Sequence, residues 1–431
     1  MTEPSPPTPA PDPWRPLLTG EPAAEAVQTA LEIADALAAA PANGASLAAG
    51  DAGRALLFAY LAQHAGEGPR AEAWGERAAD LVATAVDAVA AQPLPAPLYA
   101  GFSGIAWAVE HLQPILFADG EDANADIDAA LLTFLDGEGW AGEYDLIGGL
   151  TGLGVYALER VGRPTGRALL ERVVARLAEL AETGPEGATW FSAPERLPAW
   201  QRDLHPTGFY NLGVAHGVPG VIGLLGRAAA PGVEAAGARP LLDAAVRWLL
   251  ARRQAAGSVS CFGTWYLPGV PGEGDAQSEA QSRLAWCYGD PGIAATLHLA
   301  ARRVGEPAWE SAALSIARAA AARPESTAGV RDAGLCHGAA GLAHLFNRLY
   351  QASGEEALAA AARFWIERTL SLRQPGRGVA GFLAWRQDKG DGEPKWASEP
   401  GFLEGGAGIG LALLAAASPV DPAWDRVMLL S

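Results

Sequence analysis

Cysteine is scarce in this sequence, and its scarcity narrows the covalent chemistry available to the fold. The 431 residues include three cysteines, Cys261, Cys287 and Cys336. A low and odd number argues against a framework of disulfide bonds, which is typical of small secreted proteins. The thiols are therefore open to metal binding or redox chemistry.

Clusters of basic residues are also missing. The formal net charge is −18, because 49 acidic residues outweigh 31 lysines and arginines. A protein that follows a phosphate backbone needs a basic face, so nucleic acid is not an expected partner. The acidic balance instead suits a soluble protein that meets a basic peptide segment.

Long apolar runs are absent as well. No stretch of about 20 apolar residues is free of charge, glycine or proline, so we expect no transmembrane helix. The segment 1–20 is Pro-rich and lacks the basic and apolar regions of a signal peptide, so we interpret it as a disordered tail. These features predict a cytoplasmic protein.

Glycine and apolar residues, in contrast, are plentiful. Hydrophobic residues make up 50% of the chain, and 52 residues are glycine. A Gly-x-x-Gly pair followed by an apolar stretch recurs along the chain, often at intervals of about fifty residues. The seven pairs begin at Gly50, Gly101, Gly149, Gly217, Gly289, Gly338 and Gly405. Such self-similarity indicates a repeat architecture.

Amphipathic segments alternate with these glycine-led stretches. In 167–183, Leu169, Val173 and Leu177 fall on one helical stripe. Similar stripes occur near 23–40, 71–91, 124–135, 239–254, 308–322 and 356–371. The glycine-led stretches are more apolar all round, as expected for an inner layer. We therefore predict an all-α fold, an α/α toroid of seven inner and seven outer helices that forms a single domain over 21–431.

The glycine-led helices should all begin at one end of the ring, here called the mouth, because they occupy the same place in each repeat. Insertions near 184–212, 257–286 and 372–402 lengthen three repeats, and we expect them to form loops and short strands over the mouth. They could enclose a groove for an extended peptide, or their aromatic residues could pack down as lids. Asp290, which precedes a proline, is expected to cap the N-terminus of its helix.

Two cysteines and a histidine precede glycine-led helices of neighbouring repeats. Cys287 lies two residues before Gly289, and Cys336 and His337 lie directly before Gly338. Two thiolates and one imidazole form a donor set typical of catalytic zinc, with a fourth position left for water or substrate. The alternative is a pair of buried structural cysteines beside a capping histidine.

Four further residues near these motifs are candidates for catalysis. His216 fills, in its own repeat, the position that His337 fills, which suits a general acid or base at the mouth. Asp145 could orient this histidine, and Arg283 and Tyr288 could bind a carboxylate or an oxyanion. The alternatives are a helix-start hydrogen bond for His216 and ordinary turn, surface or core positions for the others.

Together the motifs resemble those of the lanthionine synthetase C family, the cyclases of lanthipeptide biosynthesis. The motifs are Tyr-Asp-x-x-x-Gly-Leu-x-Gly (144–152), Ala-His-Gly-x-x-Gly (215–220), Arg-x-x-x-Cys-Tyr-Gly-Asp-Pro-Gly (283–292) and Cys-His-Gly-x-x-Gly (336–341). They are individually short but jointly specific, and the repeats extend the resemblance over nearly all of the chain.

The resemblance implies a toroid with a zinc site at its mouth. The implied zinc ligands are Cys287, Cys336 and His337, and the implied catalytic residues are His216, Asp145, Arg283 and Tyr288. It also implies a free-standing cyclase whose substrate is a dehydrated precursor peptide with its leader. A separate dehydratase, a peptide transporter and a peripheral membrane association through their complex follow by analogy alone.

The expected reaction is addition of a precursor cysteine thiolate to dehydroalanine or dehydrobutyrine, which forms a (methyl)lanthionine thioether ring. His216 is the candidate acid for the resulting enolate. Two alternatives stay open: glutathione addition to dehydroamino acids, and a non-catalytic zinc-bearing scaffold that binds peptide. A carbohydrate-active toroid would need paired carboxylates at the mouth, where Asp145, Asp290 and Glu404 are the obvious acids.

Overall fold

The structure, a computed structural model, consists mainly of α-helices. It describes residues 13–41, 43–117, 122–137, 139–267, 276–277, 281–386 and 395–431. In chain order the α-helices are α1 (Gly20–Ala39), α2 (Asp51–Ala65), α3 (Pro69–Ala91), α4 (Phe102–Leu116), α5 (Ala125–Leu135), α6 (Leu150–Glu159), α7 (Pro164–Leu180), α8 (Ala199–Leu204), α9 (Val218–Ala228), α10 (Ala238–Leu250), α11 (Asp290–Val304), α12 (Pro307–Ala321), α13 (Glu325–Ala328), α14 (Ala339–Ser353), α15 (Glu356–Ser371) and α16 (Gly406–Ala417).

Within these ranges, seven helices form a closed inner ring, and each begins at one of the Gly-x-x-Gly pairs. The inner helices are α2, α4, α6, α9, α11, α14 and α16, and each packs on the next, with α16 packing on α2. The outer helices are α1, α3, α5, α7, α10, α12 and α15. Most outer helices pack on the inner helix before them, and α1 packs on α16. The predicted α/α toroid of seven inner and seven outer helices is confirmed.

The two layers differ in burial as their sequences predict. Every residue of α16 from Gly406 to Ala416 is buried. This inner helix is therefore covered by protein on all sides, as its uniformly apolar sequence predicts. In α7, Leu169, Val173 and Leu177 are buried while Glu171 is exposed. An outer helix therefore contributes one stripe to the core and gives its other face to solvent.

Glycine is required at the helix starts because backbone approaches closely there. A Cβ at Gly341 would lie 1.9 Å from the main-chain oxygen of Leu335. At Gly289 the backbone also has a φ of +113°, a conformation that favours glycine. Glycine thus lets each loop fold tightly onto the helix that it leads into.

The loops before the seven inner helices occupy equivalent positions in the repeat, and we call them together the collar. The collar loops are residues 44–50, 95–101, 143–149, 211–217, 283–289, 332–338 and 399–405. In the last two, the main-chain oxygens of Asp332 and Glu399 accept the N–H groups of Ala339 and Gly406, at 2.9 Å each. The same hydrogen bond joins Gly44 to Asp51, at 2.8 Å.

Backbone hydrogen bonds also join neighbouring collar loops. Cys287 N–H donates to the oxygen of Cys336 at 3.3 Å, and Cys336 N–H donates to that of Leu403 at 2.8 Å. Leu403 N–H in turn donates to Ala48 at 2.9 Å, which links the last loop to the first. The collar is therefore a fixed platform at the mouth of the ring.

A short segment near the end of the sequence, residues 423–430, fills the interior of the ring; we call it the central segment. Tyr99 Oη donates to the oxygen of Val427, and Trp286 Nε1 donates to that of Met428, both at 2.9 Å. On a third side, His344 Nε2 lies 2.7 Å from Asp425 Oδ2. Since these partners come from different repeats, the central segment ties opposite sides of the ring together. The sequence patterns did not predict it.

Short strands form in the inserted regions. They are β1 (Glu182–Gly184), β2 (Gly187–Thr189), β3 (Phe191–Ser192), β4 (Phe209–Asn211), β5 (Trp265–Leu267), β6 (Ala276–Gln277), β7 (Ala384–Arg386) and β8 (Lys395–Ala397). All pairings are antiparallel: β3, β4, β5 and β6 form one sheet in this order, and β1–β2 and β7–β8 are separate pairs. The parts of the predicted insertions at 268–275, 278–280 and 387–394 lie outside the described residues.

Two expectations need correction. Residues 1–12 of the predicted disordered tail lie outside the described residues. For residues 13–20 the prediction is wrong. The side chain of Trp14 is buried, and its Nε1 donates to the oxygen of Ala415 at 2.8 Å. Asp290 does not cap its helix, whose N-cap residue is Gly289. Its carboxylate instead accepts the N–H of Cys261 at 2.8 Å, which fixes an inserted segment to α11.

None of the helices in the described ranges is long and apolar enough to cross a membrane.

Candidate metal centre

The structure brings Cys287, Cys336 and His337 together at the mouth. One potential ligand atom from each lies within 4.8 Å of the other two. Both thiols are buried, at 4% and 8% exposure. The cysteines meet because they occupy equivalent positions in neighbouring collar loops that are hydrogen-bonded to each other. In the sequence they are one repeat apart, so the packing of neighbouring inner helices is what assembles the group.

The two thiols differ in their acidity. The hydrogen bond from Cys336 holds the pKa of the Cys287 thiol well below its ordinary value, despite burial, with help from His337 and Arg283. The same hydrogen bond, together with burial, raises the pKa of Cys336. The pair therefore gives up its first proton more readily than a free thiol does, and a cation could displace the second.

His337 and Arg283 add positive charge beside the thiolate. Burial alone would lower the pKa of His337, but the hydrogen bond and charge of Cys287 outweigh burial and raise it. Arg283 Nη2 lies 3.8 Å from Cys287 Sγ. Both groups stabilise a thiolate at Cys287 before any metal is considered.

The donor set fits zinc. Two sulfurs and one imidazole nitrogen are soft to borderline ligands, which Zn²⁺ binds in tetrahedral geometry. Among the described residues, no fourth His, Cys, Asp or Glu belongs to this group. The described part of the chain therefore offers three ligands, a number typical of catalytic zinc sites, in which the fourth corner is left to water or substrate.

His216 and Asp145 form a pair on neighbouring collar loops. His216 Nδ1 lies 2.5 Å from Asp145 Oδ2, and Asp145 Oδ1 accepts the N–H of Gly148 at 2.7 Å. Burial would lower the pKa of His216, but the hydrogen bond and charge of Asp145 outweigh burial and raise it. The imidazole is partly exposed while the carboxylate is buried. The pair can therefore present a proton on Nε2 to a ligand at the mouth.

Tyr288 lies between this pair and the thiols. Its ring centroid is 6.3 Å from that of His216, and its hydroxyl accepts a hydrogen bond from Asn211 Nδ2 at 2.9 Å. Burial raises the pKa of Tyr288, so the phenol stays protonated and can donate to an anion. Asn211, which the sequence patterns did not single out, orients this phenol.

The residues that precede the first glycine of each pair divide the mouth into a polar half and a half with small residues. In ring order these residues are Ala49, Ala100, Gly148, His216, Tyr288, His337 and Glu404. Four successive loops thus carry polar side chains around the thiols, and three carry residues that leave space. The seventh repeat adds an ionic group, since Arg386 Nη2 lies 3.1 Å from Glu404 and 2.7 Å from Glu399.

Comparisons with known proteins agree with this fold. The model of a family described as lanthionine synthetase C-like protein matches residues 41–429. Among solved structures, the chain is similar to nisin cyclase, with a TM-score of 0.68 and 18% sequence identity over 95% of this chain and 96% of that chain. No curated protein matches the sequence significantly. At this identity, the structural likeness establishes the fold.

Proposed function

The chain belongs to the lanthionine synthetase C-like family, and from this premise we propose that it is a zinc-dependent peptide cyclase. Its substrate would be a dehydrated precursor peptide with its leader. It would add cysteine thiols of that peptide to dehydroalanine or dehydrobutyrine and so form (methyl)lanthionine thioether rings.

The observation that carries this proposal is the Cys287–Cys336–His337 group with its open fourth position. Zn²⁺ bound there would supply a Lewis acid for a substrate thiol, whose ordinary pKa of about 8.5 leaves only a few per cent ionised at neutral pH. Arg283, beside Cys287, offsets the negative charge that gathers around the thiols.

The remaining residues would handle the proton and the enolate. The C–S bond forms at the β-carbon of the alkene as its π electrons move onto the α-carbon and carbonyl oxygen. His216, charged through Asp145, donates its Nε2 proton to the α-carbon. Tyr288 donates a hydrogen bond to the enolate oxygen. The substrate thiol would release one proton to solvent, and His216 would take one back from solvent, so the net reaction is an isomerisation.

The cellular setting is part of the proposal. We infer a cytoplasmic enzyme that works after a separate dehydratase, by analogy with the family to which the chain belongs. We also infer that the enzyme works with a peptide transporter and associates peripherally with the membrane through a synthetase complex. The small residues on three collar loops support a peptide substrate, since they leave room for an extended chain.

The test is thiol alkylation of a dehydrated precursor peptide, with and without the protein and zinc, read by mass spectrometry. Cyclisation leaves the mass unchanged but removes alkylatable thiols. We expect Cys336→Ala to lose zinc and cyclisation together. Full zinc content with full cyclisation in this variant would remove the metal from the mechanism, and preferential consumption of added glutathione would reassign the thiol substrate.

A further inference from the structure

We propose that Asp332 is a positioning residue that holds the His337 imidazole in the orientation and tautomer required for metal binding. Asp332 begins the collar loop that carries Cys336 and His337. The inference rests on the proposed zinc site and names a residue that neither the sequence motifs nor the ligand group includes.

The carboxylate of Asp332 is fixed from several directions. Its Oδ2 accepts the N–H of Trp385 at 2.9 Å, and its Oδ1 accepts the N–H of Gly334 at 3.3 Å. The side chain is 1% exposed. The carboxylate therefore has one defined position, which a positioning group requires.

The carboxylate faces the imidazole. Asp332 Oδ2 lies 3.9 Å from His337 Nε2, and in the described part of the chain His337 is the basic side chain within ion-pair distance of it. A buried carboxylate is costly unless a donor or a positive charge compensates it. A separation of 3.9 Å is longer than a hydrogen bond, and a small rotation of the ring would bring Nε2 within hydrogen-bond distance of the carboxylate.

This placement determines which ring nitrogen can bind a metal. A proton on Nε2, facing Asp332, leaves Nδ1 unprotonated for coordination. A carboxylate on the second nitrogen also makes the first a better donor. Asp332 itself lies outside the group of mutually close ligand atoms, so it acts through His337.

The repeat provides a matched control. Glu399 occupies the position of Asp332 in the next collar loop, and its main-chain oxygen makes the equivalent hydrogen bond. Its carboxylate is also mostly buried, at 10% side-chain exposure, but its ionic partner is Arg386. Glu399→Gln thus removes a buried carboxylate from the mouth without touching the contact to His337.

The experiment measures zinc affinity of the full chain by competition with a chromophoric chelator. We expect Asp332→Asn, which preserves the shape of the side chain, to weaken zinc binding about 10- to 100-fold, and Glu399→Gln to leave it unchanged. Cobalt-substituted Asp332→Asn should also show altered visible absorption, whereas thermal unfolding of the metal-free variant checks that the fold persists.

Equal affinities of Asp332→Asn and the unaltered protein, or equal losses in both variants, would overturn the assignment. Should Asp332→Asn fail to fold, nitrogen-15 NMR of the unaltered zinc-loaded protein decides: we expect His337 to be protonated on Nε2, and metal on Nε2 would refute the proposal. Absence of zinc binding by the unaltered protein would instead overturn the proposed metal site, and this inference with it.

Discussion

A single methyl group placed at Gly341 should disturb the metal site without touching any of its ligands. Gly341 lies in the first turn of α14, and a Cβ there would lie 1.9 Å from the oxygen of Leu335 and 2.7 Å from its carbonyl carbon. That carbonyl belongs to the same peptide unit as the N–H of Cys336, which donates to Leu403 at 2.8 Å. Displacing the carbonyl therefore tilts the backbone that carries Cys336.

Two opposing contributions decide how Gly341→Ala changes the free energy of unfolding: the steric clash and the higher helix propensity of alanine. Non-bonded heavy atoms normally stay more than about 3 Å apart, so the Leu335 carbonyl or the helix must move by about 1 Å. Overpacking of this kind costs about 1–3 kcal/mol, and here backbone must shift as well as side chains. Alanine gains about 1 kcal/mol over glycine in a helix. The clash prevails, and Gly341→Ala should destabilise the protein by about 2 kcal/mol or more.

The assay is urea unfolding of the metal-free protein together with zinc content after dialysis. Gly75 is the control, since it lies inside helix α3 with a negative φ, and a Cβ there meets nothing within 4 Å. Gly75→Ala should therefore stabilise the protein by about 0.5–1 kcal/mol and leave zinc binding intact. Gly341→Ala with unchanged stability and full zinc would refute the role assigned to the close backbone approach.

Further perturbations test other parts of the molecule. His216→Asn should retain zinc yet lose ring closure in the alkylation assay; zinc loss would show that His216 serves the metal. Asp145 raises the pKa of His216. If His216 acts as the acid, Asp145→Asn should therefore move the alkaline limb of the rate–pH profile to lower pH. An alkaline limb that does not move would contradict that role. Burial favours the neutral form of Glu159, but the hydrogen bond and charge of His111 prevail and lower its pKa from 4.5 to about 2. The ionised form thus stabilises the fold by about 3 kcal/mol above pH 4.5, and this contribution is lost as the pH falls toward 2. In urea unfolding, the free energy of unfolding should therefore decrease less between pH 6 and pH 3 for Glu159→Gln than for the unaltered chain. Trp286→Phe leaves an oxygen of the central segment without its donor and should lower the free energy of unfolding by about 1–3 kcal/mol, measured by thermal unfolding. An unchanged stability would show that the protein does not need this hydrogen bond.

The architecture could be predicted because each repeat contains the sequence pattern that determines its own local structure. A Gly-x-x-Gly pair at Gly338 and Gly341 requires a tight loop, and the apolar helix after it requires burial on all sides. Seven copies of such a unit have few ways to bury their inner helices other than a closed ring. The thiols could be placed together for the same reason, since equivalent positions in adjacent repeats must be neighbours.

Other features could not be predicted because they depend on single contacts between distant segments. The central segment has no periodicity, and its position depends on donors such as Tyr99 and Trp286 that look like ordinary core residues. Asp290 resembles a helix cap in sequence, yet its carboxylate is used by the backbone of Cys261. Asp332 belongs to no motif, and its place beside His337 depends on how the collar loop folds.

The packing of α1 on α16 has a consequence for biosynthesis. The ribosome delivers α1 first and α16 after all the other helices, so the first helix waits for its partner throughout translation. Leu403, which accepts the N–H of Cys336 and donates to Ala48, also emerges late. The backbone contacts around Cys336 therefore draw on both the first and the last repeat of the toroid, which are far apart in the chain.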